Sequence, residues 1–383
     1  MKIALAQLSP IVGAFESNFK LIKKAYERAC KDQARLLLTS ELGICGYPLQ
    51  DLLDRPEIYD RCEETLSKLK VLTEGKKCAL IVGHVVKNPE EAGRPALNCA
   101  SVLENGETVF QQYKTLLPTY DVFDEARYFE PAQEIKLWDC DQYKVGIAIC
   151  EDLWAEENTL GRLQLYKRNP AQELEKLKPD FIMSLSASPY QENKRERREL
   201  IHQNISKKME VPLFYVNQVG ATDEVLFDGC SFVVDQDGNI CDRLNCFESD
   251  YQTYNLSDLQ KNENLKAEDE MEVLINALTV GIRDYFNRNR FKKAIVGLSG
   301  GIDSTVVAAL AAKSLGEENV LGVAMPSQFS SSHSLKDAQN LAENLGIHFQ
   351  VKPIKFLYSV FQRELSGTED NLSELTLENL QAR

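Results

Sequence analysis

Val145-Gly-Ile-Ala-Ile-Cys150-Glu-Asp-Leu-Trp154 runs from apolar and small residues through a cysteine to an abrupt change to charge. Such a run reads as a buried strand, and Glu-Asp-Leu-Trp as the start of a helix. Buried strands alternating with helices define an α/β layer architecture. Lys2–Gln7, Leu36–Thr39, Ala79–His84, Ala96–Leu103, Val109–Tyr113, Phe181–Ser186, Leu213–Val219 and Ser231–Val234 also have strand character. Asn18–Cys30, Asp60–Glu74, Ala171–Lys178 and Lys194–Glu210 have helical spacing. Asn105-Gly106 and Asp237-Gly238 predict hairpins, so some of the strand pairs are antiparallel.

The character changes after Cys246. Residues 248–270 are polar and acidic without sustained periodicity, which predicts a linker between a domain over 1–247 and a second over 271–383. The second part reads as helix Met271–Arg290, strand Lys293–Leu298, helix Thr305–Ser314, strand Val320–Ala324, helix Ser334–Leu345 and strand His348–Pro353. That βαβαβ series predicts a parallel sheet of the Rossmann-like kind.

The 383 residues are 43% hydrophobic and 27% charged, an ordinary globular balance that excludes a disordered chain. A net charge of −14 argues against a nucleic-acid coat or a broad dock on anionic membrane. No apolar run approaches the ~20 residues of a membrane span, and the N-terminal MKIALAQLSPIVGAFESN lacks the apolar core of a signal peptide. Ten cysteines without a CxxC pair read as free thiols in a reducing, cytoplasmic setting. With four histidines in the chain, a histidine-based triad or metal cluster has few candidates.

Glu41, Lys114 and Cys150 each fall at a strand end. Singly, each has an ordinary structural explanation: a residue beside a helix cap, a solvated lysine, a small core thiol. Together they form a coherent site. A cysteine between strand end and helix start is expected to have a lowered thiol pKa. Glu41 is placed to take the thiol proton and later to activate water. Lys114 supplies fixed positive charge for a tetrahedral oxyanion, with the backbone N–H after Cys150 as second donor.

The segments TSELGICGYP around Glu41, YKTLLPTYDVFDEARYF around Lys114 and VGIAICEDLW around Cys150 resemble the three signatures of the nitrilase superfamily. The resemblance implies an αββα sandwich that hydrolyses C–N bonds with Glu41 as general base, Lys114 as oxyanion stabiliser and Cys150 as nucleophile. Glu125 matches the second glutamate that orients the lysine. The run YDVFDEARYF, Ser186–Tyr190 and Asn217–Ser231 resemble the glutaminase domain of glutamine-dependent NAD synthetases. That resemblance implies glutamine contacts for Tyr120, Ser188 and Lys194. Without it, Tyr120 reads as a core aromatic and Lys194–Arg198 as a solvated helix face.

In the second part, Gly297-Leu298-Ser299-Gly300-Gly301-Ile302-Asp303-Ser304 follows a strand and opens a helix. The glycine pair lets backbone N–H groups approach an anion, Ser299 and Ser304 donate to phosphate oxygens, and Asp303 holds Mg²⁺ beside them. It is neither a Walker A loop nor GxGxxG. It resembles the pyrophosphate loop of the ATP pyrophosphatase family. A nitrilase-type domain joined to such a loop is the arrangement of the glutamine-dependent NAD synthetase family. The resemblance implies glutamine, ATP and deamido-NAD⁺ as substrates, Mg²⁺ as metal, no prosthetic group, assembly of subunits, and Asn379 in ENLQAR as a deamido-NAD⁺ contact. Three strands are fewer than a nucleotide-binding sheet of this type needs, so the sequence is expected to be C-terminally truncated within the synthetase domain. Two alternatives remain: a nitrilase-type amidase or glutaminase carrying an inactive remnant domain, and a non-enzymatic assembly module.

Overall fold

The computed structural model describes residues 1–90, 92–160, 166–265 and 269–365. The chain divides into two compact units, Met1–Glu270 and Met271–Arg383.

The first unit stacks two six-stranded sheets. The first sheet runs Asp250–Asn255, Lys2–Gln7, Leu36–Leu38, Ala79–Lys87, Ala96–Glu104, Glu107–Tyr113 across its width. The second runs Ile240–Arg243, Phe232–Val234, Leu213–Asn217, Phe181–Ser186, Tyr143–Ile149, Leu137–Cys140. Alternate residues face opposite sides of a strand. Thus Ile3, Leu5 and Ile81 meet Ile147, Met183 and Phe214 between the sheets. The opposite faces pack against helices: Phe15–Lys31 and Pro56–Thr73 on the first sheet, Pro170–Leu177 and Lys194–Met209 on the second. The result is the αββα order. Three parallel strands, Ala294–Gly297, Val320–Ala324 and His348–Val351, form the sheet of the second unit. Helices Ile302–Leu315 and Ser332–Leu345 pack on it through Ala308, Ala311, Ala338 and Ala342. Among the described residues no helix is long and apolar enough to cross a membrane.

Two expectations need correction. The polar stretch 248–270 is not a linker throughout. Asp250–Asn255 is a strand paired antiparallel with Lys2–Gln7 along its whole length. Its edge position explains the missed signal: a strand exposed along one side carries few apolar residues. The cysteines are also not all free, because Cys230 and Cys246 form a disulfide. An antiparallel bridge between Gly229 and Cys246 brings their backbones together, a proximity that spacing alone does not reveal.

One glycine positions the Glu41 segment. After strand Leu36–Leu38, Thr39 donates its N–H to Ile81 O at 3.1 Å and Ile44 to Gly83 O at 3.1 Å. A Cβ on Gly83 would lie 2.4 Å from Leu42 N, 2.6 Å from Ser40 O and 2.8 Å from Glu41 C. All three are backbone atoms that cannot swing aside. Gly83→Ala is therefore expected to destabilise the first unit by about 1–3 kcal/mol and to move Glu41, lowering turnover more than the loss of folded protein explains. Thermal unfolding alongside amide hydrolysis measures both.

Candidate active site

The strand Tyr143–Ile149 ends in a sharp turn. Cys150 has φ +45°, the left-handed region that non-glycine residues occupy at a cost. A turn at this point ends the strand and takes the chain directly into 3-10 helix Cys150–Leu160. Asp152 holds it. Its Oδ2 accepts from Ile149 N at 3.1 Å, while Oδ1 accepts from Thr115 N at 2.9 Å and Leu116 N at 2.8 Å. One buried carboxylate thus staples the cysteine turn to the backbone just after Lys114. Burial pushes its pKa up to about 6, against the pull of these N–H donors.

Glu41, Lys114 and Glu125 meet beside this turn, all nearly inaccessible to solvent. Lys114 Nζ donates to Glu41 Oε1 at 2.7 Å and to Glu125 Oε1 at 2.8 Å. Asn98 Nδ2 donates to Glu41 Oε1 at 2.7 Å, and Ala187 N to Glu41 Oε2 at 3.0 Å. Tyr47 OH donates to Glu125 Oε1 at 2.7 Å. Two carboxylates against one ammonium leave an excess negative charge where desolvation is severe. The cluster resolves this at Glu125. Burial lifts its pKa to about 7, opposed by Lys114 and assisted by Glu41, and among the described residues its buried Oε2 has no hydrogen-bond partner. Lys114 stays charged: burial alone would lower its pKa, but Glu125, Glu41 and Cys150 raise it well above that of a free lysine.

The lowered thiol pKa expected of Cys150 is not found. Burial raises it, and the charge of Glu41 raises it further against the opposing Lys114. The thiol therefore needs a base to remove its proton, rather than resting as a thiolate.

The three residues expected to contact glutamine surround the same turn. Lys194 Nζ lies 5.5 Å from the Trp154 ring centroid and 5.6 Å from that of Phe123. Burial lowers its pKa, with Cys150 opposing. Tyr120 is partly exposed and donates to Glu151 Oε1 at 3.0 Å. Ser188 is buried and bound through its backbone to Asn217. The helix face Lys194–Arg198 is not simply solvated, since Arg198 is fully buried and pairs with Asp228 at 2.9 Å. Sequence reasoning missed Asp152, Glu151 and Tyr166. Tyr166 OH donates to Glu151 Oε1 at 2.8 Å, so two phenols converge on one buried carboxylate whose pKa burial raises. Only their adjacency to Cys150 could have flagged Glu151 and Asp152.

In the second unit, Gly297–Ser304 forms the expected strand–loop–helix turn. Gly300 has φ +81°, and a Cβ there would sit 2.4 Å from Ser334 O, so a glycine is required on both counts. Ser299 Oγ and Ser304 Oγ lie 3.1 Å apart, and Gly301 N donates to Ser299 Oγ at 3.2 Å. Ile302 and Asp303 begin the helix capped by Gly301, and both are exposed. The loop borders a cavity of ≈ 590 Å³ that Met325, Phe329, Ser334 and Tyr358 also line. That volume is in the range of a nucleotide-sized site. Leu298 lines the cavity from the strand side. Asn379 lies outside the described residues.

The raised pKa of Glu125 makes stability depend on pH. Its folded value of about 7 exceeds the ordinary 4.5, so the folded state binds the proton more tightly. This contribution is fully present below pH 4.5 and lost as pH rises through about 7. Glu125→Gln keeps an acceptor for Lys114 and Tyr47 and is expected to remove that decline, which urea midpoints across this range would detect. Lys114→Ala, which leaves buried carboxylates uncompensated, is expected to cost about 3–5 kcal/mol in the same measurement.

Residues 2–261 match the carbon-nitrogen hydrolase family and residues 274–383 the NAD synthase family. A glutamine-dependent NAD(+) synthetase of Synechocystis is 42% identical over all of this chain and 70% of its own length. One from Acinetobacter baylyi is 34% identical, again over the whole chain and over 68% of its own length. The solved structure of the Acinetobacter baumannii glutamine-dependent NAD+ synthetase, in complex with ADP, superposes with a TM-score of 0.90 at 33% identity over 100% of this chain and 70% of that one. An amidase of the nitrilase superfamily from Nesterenkonia shares the fold of the first unit, with a TM-score of 0.58 at 20% identity over 67% of this chain and 91% of its own. Relatives that carry both units and are named for the synthetase favour that reading over an amidase with an inactive remnant. The chain belongs to the glutamine-dependent NAD(+) synthetase family, whose members use ATP.

Proposed function

We propose that the first unit releases ammonia from glutamine through a thioester on Cys150, and that the second uses ATP to amidate deamido-NAD⁺. The observation that carries the first half is the buried Lys114 ammonium shared by Glu41 and Glu125 beside the Cys150 turn. Glu41 takes the thiol proton as Sγ attacks the side-chain amide carbon. Lys114 and the backbone N–H of Glu151 stabilise the oxyanion. The proton passes from Glu41 to the leaving nitrogen, ammonia departs, and Glu41 then activates water to release glutamate. Glutamine also carries an α-ammonium and an α-carboxylate. Glu151, held by Tyr120 and Tyr166, complements the first; Lys194 and Ser188 complement the second.

In the second unit the nicotinate carboxylate of deamido-NAD⁺ attacks the α-phosphorus of ATP and pyrophosphate leaves. Ammonia then attacks the acyl carbon, AMP leaves, and the amide of NAD⁺ is complete. The N–H groups around Gly300 and Gly301, with Ser299 and Ser304, cradle the pyrophosphate. Among the described residues no three His, Cys, Asp or Glu side chains converge on one metal position. A single exposed Asp303 fits a Mg²⁺ that takes its remaining ligands from phosphate and water, and that ion would neutralise charge on the leaving pyrophosphate. Asn379 contacts deamido-NAD⁺. An assembly of subunits acting in the cytoplasm completes the reading, supported by the resemblance to the family.

The test is substrate-resolved. Cys150→Ala is expected to abolish glutamate release and glutamine-dependent NAD⁺ formation, while ammonium chloride still supports NAD⁺ formation. Persistent glutamate release would refute the nucleophile. Glu151→Gln is expected to raise the KM for glutamine by about tenfold or more with a smaller change in kcat, which steady-state assays of glutamate release resolve.

A further inference from the structure

Strand Phe181–Ser186 ends in the turn Ala187–Ser188, and two things depend on it. The N–H of Ala187 donates to Glu41 Oε2 at 3.0 Å. Ser188, the next residue, is gripped on both backbone faces by one side chain: its N–H donates to Asn217 Oδ1 at 2.8 Å, and its C=O accepts from Asn217 Nδ2 at 3.0 Å. The amide has no freedom to flip. Nδ2 also donates to Asp228 Oδ1 at 3.0 Å, and Asp228 is held in turn by both terminal nitrogens of Arg198, at 3.1 and 2.9 Å. The backbone of Asn217 is fixed as well, its N–H donating to Ser231 Oγ at 3.0 Å. Asn217 is fully buried and, on this geometry, does not touch the cluster of Glu41, Lys114 and Glu125 itself.

We propose that Asn217 is a positioning residue of the glutaminase reaction: its amide clasps Ser188 and thereby aims the Ala187 N–H that orients the Glu41 carboxylate. The physical case is geometric. Glu41 Oε1 is already engaged by Lys114 and Asn98. Its Oε2 is the oxygen left to take up a proton, and the N–H of Ala187 sets the direction in which Oε2 points. A turn freed from its clasp lets that N–H drift, and the base loses its aim at the thiol. The inference rests on the assignment of Glu41 as general base.

The experiment uses the full chain in two forms. Asn217→Ala removes the clasp. The milder variant Asn217→Ser also withdraws the amide from Ser188 but leaves a hydroxyl in the space and the Asp228–Arg198 pair in place. Each variant is assayed below its own unfolding midpoint, so that the folded population is what is read. Three quantities are read: the unfolding midpoint, glutamate release from glutamine, and the rate of Cys150 alkylation by iodoacetamide. The expected result is an Asn217→Ser variant that is folded at the assay temperature, with turnover and alkylation both slowed by about tenfold or more. A folded variant with both rates within about twofold of the parent overturns the proposal. So does slowed turnover with unchanged alkylation, because the defect would then lie in holding glutamine. Glu41→Gln serves as the reference. If it leaves alkylation and turnover intact, the assignment of the base itself fails, and that outcome is distinct from a clasp variant that stays active beside an inactive Glu41→Gln.

Discussion

The first unit is organised around one ammonium group. Lys114 is long, charged and buried, and such a group is tolerated only when its hydrogen-bonding capacity is met by partners in fixed positions. Glu41 comes from the end of one strand, Glu125 from a short helix, and Lys114 from the end of another strand. The ion pairs therefore fasten three separate chain segments to one point. Asp152 adds the fourth by tying the cysteine turn to the backbone beyond Lys114. Charge balance and chemistry coincide here. Burial raises the pKa of the Glu125 carboxyl to about 7, which eases the charge imbalance around Lys114.

The second unit solves a different problem with backbone. It has an exposed glycine-rich turn and a helix start where the first unit has buried side-chain charges. Gly300 owes its identity to a left-handed backbone pressed against Ser334, and the N–H groups that follow are aligned without a cation. A triphosphate arriving with its own metal suits that arrangement, whereas an uncharged side-chain amide suits the enclosed cluster of the first unit.

Much of this was legible in the sequence. Strands with continuous apolar runs were readable because both faces are buried, and Cys150, Lys114 and Glu41 stood out as polar residues terminating such runs. The SGGIDS turn was readable because the whole octapeptide Gly297–Ser304, set between a strand and a helix, is more specific than the glycine turn and helix cap that a lone SGG would suggest. What was hidden depends on distance in sequence. Asp250–Asn255 carries no apolar signal of its own and becomes a strand only against Lys2–Gln7. Arg198 sits in the charged run Lys194–Arg198 and is buried because Asp228 waits opposite it. Helix-start electrostatics alone predict a lowered thiol pKa for Cys150, and the desolvation that the surrounding sheets impose outweighs them. Glu151 and Asp152 looked like acidic helix-start residues, and their partners lie on other segments.

The pairing of Lys2–Gln7 with Asp250–Asn255 bears on how the chain is made. Strand Lys2–Gln7 has Leu36–Leu38 on one side, available early, and on the other a partner synthesised more than two hundred residues later. Gln7 waits almost as long for its side-chain partners, since its amide donates to Asn245 O and Glu248 O and its oxygen accepts from Ser231. At the translation rates typical of cells, that edge stays open for roughly 10 to 50 seconds. An apolar strand with an unpaired edge is the surface that aggregation exploits. During synthesis the apolar stretch Ile3-Ala-Leu-Ala6 thus keeps one edge unpaired, and the first unit cannot close its sheet until its own last strand has emerged.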